Sequence, residues 1–497
     1  MVASVSRSFA HALAVATALA LLLGCADDEQ AGGAAGGTTT SDAAGWTATG
    51  SEAVSVSSEP ANIPGKYVGG HQMLAMPRYG GNHTLETALE EIEMWDDAGL
   101  DAVMLFDLRN EDNLDFQASF LTYLESAAIH GSTVKLAPSF LGAQGSADDP
   151  DLVAFMGYLT DPTYAPGAFV AEGRGQLITT WFGQPNIVGL GEHLETTLGL
   201  DVHIEPCPNF RHFTSGDPNE QAWTDGEVRT PNVDNYETLL TTLYDHPEWL
   251  GVEGIAAFSF TTKPEDQRVL TEILATFADA KGITGRATIT PYYRGLPFKN
   301  NWMVYEGYGF MRLLASWRGA IESGVNAVEL ITLNDFAECT YVNSWEPDDP
   351  PIITDGWNRA EVTALLDHSG FREASKRYIR WFKTGVEPPI EEDELYYAYR
   401  LHPRDAANYY DLTQQQKDSL APWKPTGVSE LKLAAMYRRE GIPALGYNQF
   451  DSTGLNTSVL SDGFHALVRL TAPADVHING EKIGDTLPAG EHHVTKP

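Results

Sequence analysis

Ala327-Val328-Glu329-Leu330-Ile331-Thr332-Leu333-Asn334-Asp335-Phe336-Ala337-Glu338 is an apolar run that ends by presenting two carboxylates, Asp335 and Glu338. A short, largely apolar run with a polar exit reads as a strand buried on both faces, as in a parallel sheet. Seven runs of similar character precede it, beginning near Tyr67, Asp101, Thr133, Gln176, Val202, Ile255 and Ala287. Between them, segments 84–98, 116–130, 234–244, 265–281 and 311–323 carry the 3.6-residue apolar period of amphipathic helices. Eight strands alternating with helices predict an α/β fold, a (β/α)8 TIM barrel. Chemistry in that fold sits at the carboxyl ends of the strands, where Asp335 and Glu338 are expected. Asp107, Trp181, Glu205 and Tyr292 fall at other predicted strand exits and are expected to face the same mouth.

Outward from this core, a helix over 371–383 stops before Pro388-Pro389, because proline cannot continue the hydrogen-bond ladder. The alternating segments 395–399 and 466–470, with Asn479-Gly480 as a hairpin turn, predict a small β-rich C-terminal domain. At the other end, Arg7, the apolar run 10–23 and Leu22-Leu23-Gly24-Cys25 look like a bacterial lipoprotein signal peptide, with Cys25 as the lipidated residue. The run is short for a membrane span of roughly 20 residues. Residues 26–62 are rich in Gly, Ala, Thr and Ser and too poor in large apolar groups to offset the entropy of folding. The expected organisation is a signal peptide over 1–25, a flexible linker over 26–62, a catalytic barrel over 63–388 and a β-rich domain over 389–497. The expected location is that of an exported lipoprotein anchored to a membrane, at the cell surface or in the periplasm.

A hydrophobic content of 43% supplies ample core, and the formal net charge of -36 repels nucleic acid and other polyanions. A neutral polysaccharide is compatible with that field, and a monomer is expected. Besides Cys25 there are only Cys207 and Cys339, each just after a predicted strand, and their pairing depends on loop geometry. The chain has no His-Glu-x-x-His zinc helix, no phosphate-binding loop and no Gly-x-Ser-x-Gly elbow, so neither metal nor cofactor is expected.

Two acids at a strand exit suit glycosidic-bond hydrolysis, in which one carboxyl protonates the leaving oxygen while the other activates water or attacks directly. By itself such a pair also fits a solvated turn or a helix cap. Four ordered blocks distinguish these readings. Leu330-Ile331-Thr332-Leu333-Asn334-Asp335-Phe336-Ala337-Glu338 is similar to the I-I-T-W-N-D-Y-G-E signature of glycoside hydrolase family 71, the α-1,3-glucanases or mutanases. Segment 375–385 resembles that family's Y-Y-I-x-W-Y-K-T-G helix, Tyr399-Arg400-Leu401-His402-Pro403 its Y-R-P-H-P, and Gly99-Leu100-Asp101-Ala102 its G-I-D-A. His71 and Asn301-Trp302 also fit. The chain departs from the family at Leu333, Ala337 and Cys339, where Trp, Gly and Ser are usual. Loss of the aromatic at 333 is expected to remove a sugar-stacking surface and so to bear on specificity.

The resemblance implies an inverting α-glucan hydrolase, most simply an endo-1,3-α-glucanase, with Asp335 and Glu338 as the essential pair. Glu338 is taken as general acid and Asp335 as base, the two roles being interchangeable. Asp107 is a third acid, placed to raise a neighbour's pKa, to bind a sugar hydroxyl or to cap its loop. Trp181, Tyr292 and Trp302 offer flat faces to sugar rings, and His71, Glu205 and Asn334 offer hydrogen bonds, although barrel aromatics and histidines also serve as core. Two rivals stand beside this reading: a barrel glycosidase acting on another neutral glycan, and a lipid-anchored glycan-binding protein without turnover.

Overall fold

The eight apolar runs form eight parallel strands of one curved sheet. They are β1 (Tyr67–Met73), β2 (Ala102–Leu108), β3 (Lys135–Leu141), β4 (Gly175–Trp181), β5 (Val202–Cys207), β6 (Gly254–Ala257), β7 (Thr284–Ile289) and β8 (Ala327–Leu330). The computed structural model describes residues 60–74, 83–108, 114–141, 150–181, 189–207, 236–245, 252–257, 264–294, 304–305, 307–335, 340–344, 368–399, 450–451, 454–455 and 463–496. The strand order is β5-β4-β3-β2-β1-β8-β7-β6, with the short strand Val170–Ala171 antiparallel on β4. Each strand lies beside its neighbour in sequence, and β1 closes onto β8 with Tyr67 opposite Ala327. At the two ends of this path, the Glu253 N–H just before β6 donates to the Ile204 carbonyl of β5 at 3.2 Å. The architecture is therefore a mixed α/β fold built on a curled parallel sheet.

Helices α1 (Leu85–Asp97), α2 (Leu114–His130), α3 (Pro150–Gly157), α4 (Leu190–Leu198), α5 (Tyr236–Tyr244), α6 (Pro264–Lys281), α7 (Met311–Ser323) and α8 (Ser369–Thr384) alternate with the strands. Their apolar faces meet the strands' outward residues in one core that includes Trp95, Tyr123, Trp317, Tyr378 and Phe382. The buried Trp317 indole still finds a partner, donating to Ser375 Oγ at 3.0 Å, as a desolvated N–H requires. Thr84 opens α1 with a reciprocal cap, its hydroxyl accepting from Thr87 N–H while Thr87 Oγ1 accepts from Thr84 N–H. Helix α8 returns to the start of the sheet: Lys383 Nζ lies 2.5 Å from Asp101 Oδ1, and Asp101 Oδ2 accepts from Val68 N–H at 2.8 Å.

Inside the sheet, side chains stack by the period of two that strands impose. Along β8 and just past it, Ala327 joins an apolar floor with Tyr67, Ala102, Met104, Ala137 and Leu177, while Ile331 joins an upper apolar layer with Phe106, Cys207 and Ala256. Glu329 stands between these layers and belongs to neither. Two glycines make room because they lack a side chain, Gly70 on the outward face and Gly254 on the inward one. A Cβ on Gly70 would sit 2.8 Å from Leu333 Cδ1, and one on Gly254 would sit 2.6 Å from Glu205 Cγ.

Beyond α8, strands β9 (Glu394–Ala398), β10 (Phe464–Leu470) and β11 (Gly490–Lys496) form an antiparallel sheet in that order. The turn at Asn479-Gly480 joins His477–Ile478 to Glu481–Lys482, both turn residues having positive φ, 53° and 79°. That geometry matches the right-handed twist of a tight hairpin and favours Asn-Gly. Among the described residues, no helix is long and apolar enough to cross a membrane.

Candidate active site

Immediately past β8 the chain is pinned on two sides. Towards β1, Leu333 N–H donates to the His71 carbonyl at 2.7 Å, and the Asn334 carboxamide brackets Met73, accepting from its N–H at 2.7 Å and donating to its carbonyl at 2.9 Å. Towards the returning segment 340–343, Thr332 N–H donates to the Thr340 carbonyl at 3.0 Å, the two threonine hydroxyls meet at 2.8 Å, and Asn343 N–H donates to the Leu333 carbonyl at 2.9 Å. Asp335 N–H donates to Thr332 Oγ1 at 2.7 Å. These bonds fix the backbone of Asp335, which is 4% exposed, at the carboxyl end of the last parallel strand. Rigid placement of this kind is what an acid or base needs to work on a bound substrate.

The returning segment is held in turn by rings. Tyr341 lies flat on His368 at 4.2 Å and 6°, and Tyr292 meets the same imidazole edge-on at 6.5 Å. Tyr292, expected as a sugar platform, thus stands half-buried against the residue that precedes α8.

Beneath this rim lies an ionic layer sealed between the two apolar ones. Arg286 of β7 reaches both neighbours, with Nε 3.3 Å from Glu329 Oε2 and Nη1 3.5 Å from Glu205 Oε2, while Nη2 donates to the Glu205 carbonyl at 3.3 Å. Glu329 Oε1 lies 3.0 Å from His71 Nδ1. Glu205 also accepts from the Tyr67 hydroxyl at 2.7 Å and lies 2.8 Å from His203 Nε2. Burial pushes the Glu205 carboxyl up, but the His203 hydrogen bond, the Arg286 charge and the Tyr67 hydroxyl together hold it below its usual value. Burial likewise works against the Arg286 charge, yet Glu329 and Glu205 raise its pKa above the ordinary arginine value. The Tyr67 phenol is driven well up, first by burial and then by the negative charge of Glu205.

Three expectations change on this geometry. Glu205 does not stand at a rim for sugar to meet: it is buried at mid-strand, and its inward direction commits it to Arg286, His203 and Tyr67. His71 is also an interior residue, bound to Glu329 and set 4.7 Å from the Phe106 ring. Asn334 uses both ends of its amide to join the exit of β8 to β1, which makes it a strut for Asp335 rather than a sugar contact. Leu333 corrects a fourth point. It is buried in the outer core against Gly70, so an aromatic at this position would not be an exposed stacking surface. Asp107 and Trp181 lie at the ends of β2 and β4, as strand exits, but their side chains lie outside the described residues. Glu338, Cys339, Trp302 and Cys25 also lie outside them, whereas Cys207 closes β5 in the upper apolar layer.

Of the ionic layer only His71 and Glu205 were expected at the site, and as sugar contacts; Tyr67, His203, Arg286 and Glu329 were not, although a signal for them exists. Polar or charged residues two apart at His203 and Glu205, four apart at Tyr67 and His71, and single charges at Arg286 and Glu329, share the inward face of apolar strands.

Residues 276–436 match the family model of Glycosyl hydrolase family 71, a segment that contains both Asp335 and Glu338. The chain is 26% identical over 125 residues to a mutanase of Penicillium rubens, covering 25% of this chain and 26% of that protein. It is 29% identical over 126 residues to an ascus wall endo-1,3-alpha-glucanase of Schizosaccharomyces pombe, covering 24% of this chain and 28% of the relative. The matches thus span about a quarter of each relative's length. Among solved structures, a GH99 endo-alpha-mannosidase of Bacteroides thetaiotaomicron aligns with a TM-score of 0.43 at 12% identity, covering 64% of this chain and 98% of the other. With the signature around Asp335 lying inside it, the matched segment, about a third of the chain, is similar to glycoside hydrolase family 71.

Proposed function

We propose that this protein hydrolyses a neutral α-glucan, with α-1,3-glucan as the first candidate, by inverting acid/base catalysis at Asp335 and Glu338. The observation that carries the reading is the backbone clamp on Asp335 at the exit of β8, inside the segment that matches the family. Glu338 protonates the leaving glycosidic oxygen while Asp335 takes a proton from the water attacking the opposite face of the sugar. Such a pair stands about 6.5–9.5 Å apart to admit that water. Asp107 is available as a third acid at the same end of the sheet. The names of the two fungal relatives support the α-1,3 linkage.

The same reading takes the sheet as a closed (β/α)8 barrel, supported by its sequential strand order and the Glu253–Ile204 hydrogen bond. It takes residues 389–497 as a β-rich domain. The sequence ending in Gly24-Cys25 supports a lipoprotein, held at a membrane by Cys25. A Cys25→Ala chain would then be released to the soluble fraction, and unchanged membrane partition would remove the anchor.

Reducing-sugar release from a polysaccharide panel tests the reaction. The expected outcome is cleavage of an α-glucan by the wild type and a loss of at least a hundredfold in kcat for both Asp335→Asn and Glu338→Gln. Activity retained by either variant overturns its assignment. The anomer of the first product, read by NMR before mutarotation, tests inversion. Cleavage confined to a different neutral glycan would move the substrate, not the machinery.

A further inference from the structure

The sheet β9–β11 has two unlike faces. Along β9, Glu394 and Tyr396 point with Arg469 and Leu467 towards the helices, and Arg469 Nη2 donates to the Ala374 carbonyl of α8 at 2.8 Å. Leu395, Tyr397 and Tyr399 alternate with them, so they occupy the other face. They are 56%, 58% and 51% exposed, unusual for three large apolar side chains in a row of alternate positions.

These rings are ordered relative to one another. Tyr397 lies 5.7 Å from Phe464 at 17°, Tyr399 lies 6.1 Å from Phe464 at 20°, and the two tyrosines lie 6.1 Å apart at 27°. Nearly parallel rings at these separations stack into one exposed aromatic cluster, and an apolar cluster adjoins it on the same face. Ala466, which pairs with Tyr397, and Val468 beside it are buried in a small apolar cluster with Leu470 and Val476. Among the described residues, the cation nearest in register, Lys496 opposite Phe464, is paired with Glu481 at 2.5 Å.

Charge selects among the molecules that stack on such a surface. Single-stranded nucleic acid uses aromatic platforms together with free cations, but a chain of net charge -36 repels a polyanion. The same field disfavours an anionic lipid surface. A neutral polyol meets no such penalty: its C–H faces lie on rings and its hydroxyls reach the tyrosine oxygens. We propose that Tyr397, Tyr399 and Phe464 form a second, non-catalytic surface that holds a neutral glycan chain. The choice of glycan as partner rests on the proposed function. Binding here would keep the enzyme on an insoluble polymer between cleavages, raising the local concentration of chain at Asp335.

The test uses the full chain and two readouts. Retention on insoluble neutral polysaccharides, α-1,3-glucan among them, reads the surface, and cleavage of short soluble oligosaccharides reads the catalytic site. The double variant Tyr397→Ala/Tyr399→Ala is expected to lose at least tenfold in retention with unchanged oligosaccharide turnover. Tyr397→Phe/Tyr399→Phe, which keeps both rings, is expected to retain most of the binding. Equal retention by wild type and the alanine variant overturns the proposal, as does a wild type retained by no polysaccharide. Sedimentation that shows the alanine change abolishing a dimer, or flotation that shows it abolishing attachment to phosphatidylcholine vesicles, would assign the face to self-association or lipid and also overturn it. Loss of retention in a protein that cleaves no oligosaccharide would support the surface while refuting the catalytic reading.

Discussion

Two arginines in this molecule each sit between two glutamates, and their surroundings give them different jobs. Arg286, in the parallel sheet, has both carboxylates fully buried with it, at 3.3 and 3.5 Å, and donates to a single carbonyl. Arg469, in the C-terminal sheet, is just as buried, but Glu394 and Glu491 lie at the edge of water. Its contacts are shorter, 2.7 and 3.0 Å, with a third bond to Ala374. Its guanidinium also lies 5.4 Å from the Tyr378 ring and 5.6 Å from Tyr396. Arg469 is therefore a latch, joining the C-terminal sheet to α8 through directed hydrogen bonds. Arg286 is a charge centre, which makes it tolerable to carry Glu205 and Glu329 in a space without solvent.

That distinction predicts unequal costs. Arg286→Met leaves two carboxylates buried without a cation and should lower unfolding free energy in urea by about 3–5 kcal/mol. Adding Glu205→Gln and Glu329→Gln should recover much of the loss, and no recovery would mean that packing rather than charge dominates.

Acid sharpens the contrast from another direction. The His83 ring rests against Tyr123 at 4.7 Å with both nitrogens buried and without a hydrogen-bond partner among the described residues, and burial lowers its pKa from 6.5 to about 4. Between those values the unfolded chain binds a proton that the native chain does not. Stability is thus intact above pH 6.5 and falls as pH drops towards 4, by about 3 kcal/mol from this residue. His493, at the C-terminal sheet, is shifted the same way, by burial and then by its neighbour His465. Thermal melting across this range should flatten more in His83→Phe than in His493→Phe. The reverse order would place the acid-sensitive point at the C-terminal seam.

The smallest effect belongs to the latch. Arg469→Ala should cost about 2 kcal/mol, because Glu394 and Glu491 can turn to water once the cation is gone. A loss equal to that of Arg286→Met would erase the distinction between the two sites.

Much of this architecture was legible along the chain. The eight strands lie where continuous apolar runs occur, because strands covered on both faces cannot carry a polar stripe. The hairpin at Asn479-Gly480 was legible because its backbone needs residues that accept positive φ. The position of Asp335 at a strand exit followed from where β8 runs out. The roles of Glu205, His71 and Asn334 were not legible in the same way. A polar residue near a strand end looks alike whether it faces substrate, an interior cation or a neighbouring backbone. Leu333 shows the same limit: its departure from the family pattern looks like a specificity change until the core against Gly70 is seen.

Sequence alone determined the sheet, its helices and the presence of acids at the end of β8, since these depend on periodicity and on the geometry of neighbouring residues. Only the folded chain decided which charges meet. Arg286 finds Glu205 across 81 residues, and His71 finds Glu329 across 258. Pairings at that range arise from strand register and inward direction, because a desolvated charge is stable only where the curled sheet brings it an opposite one.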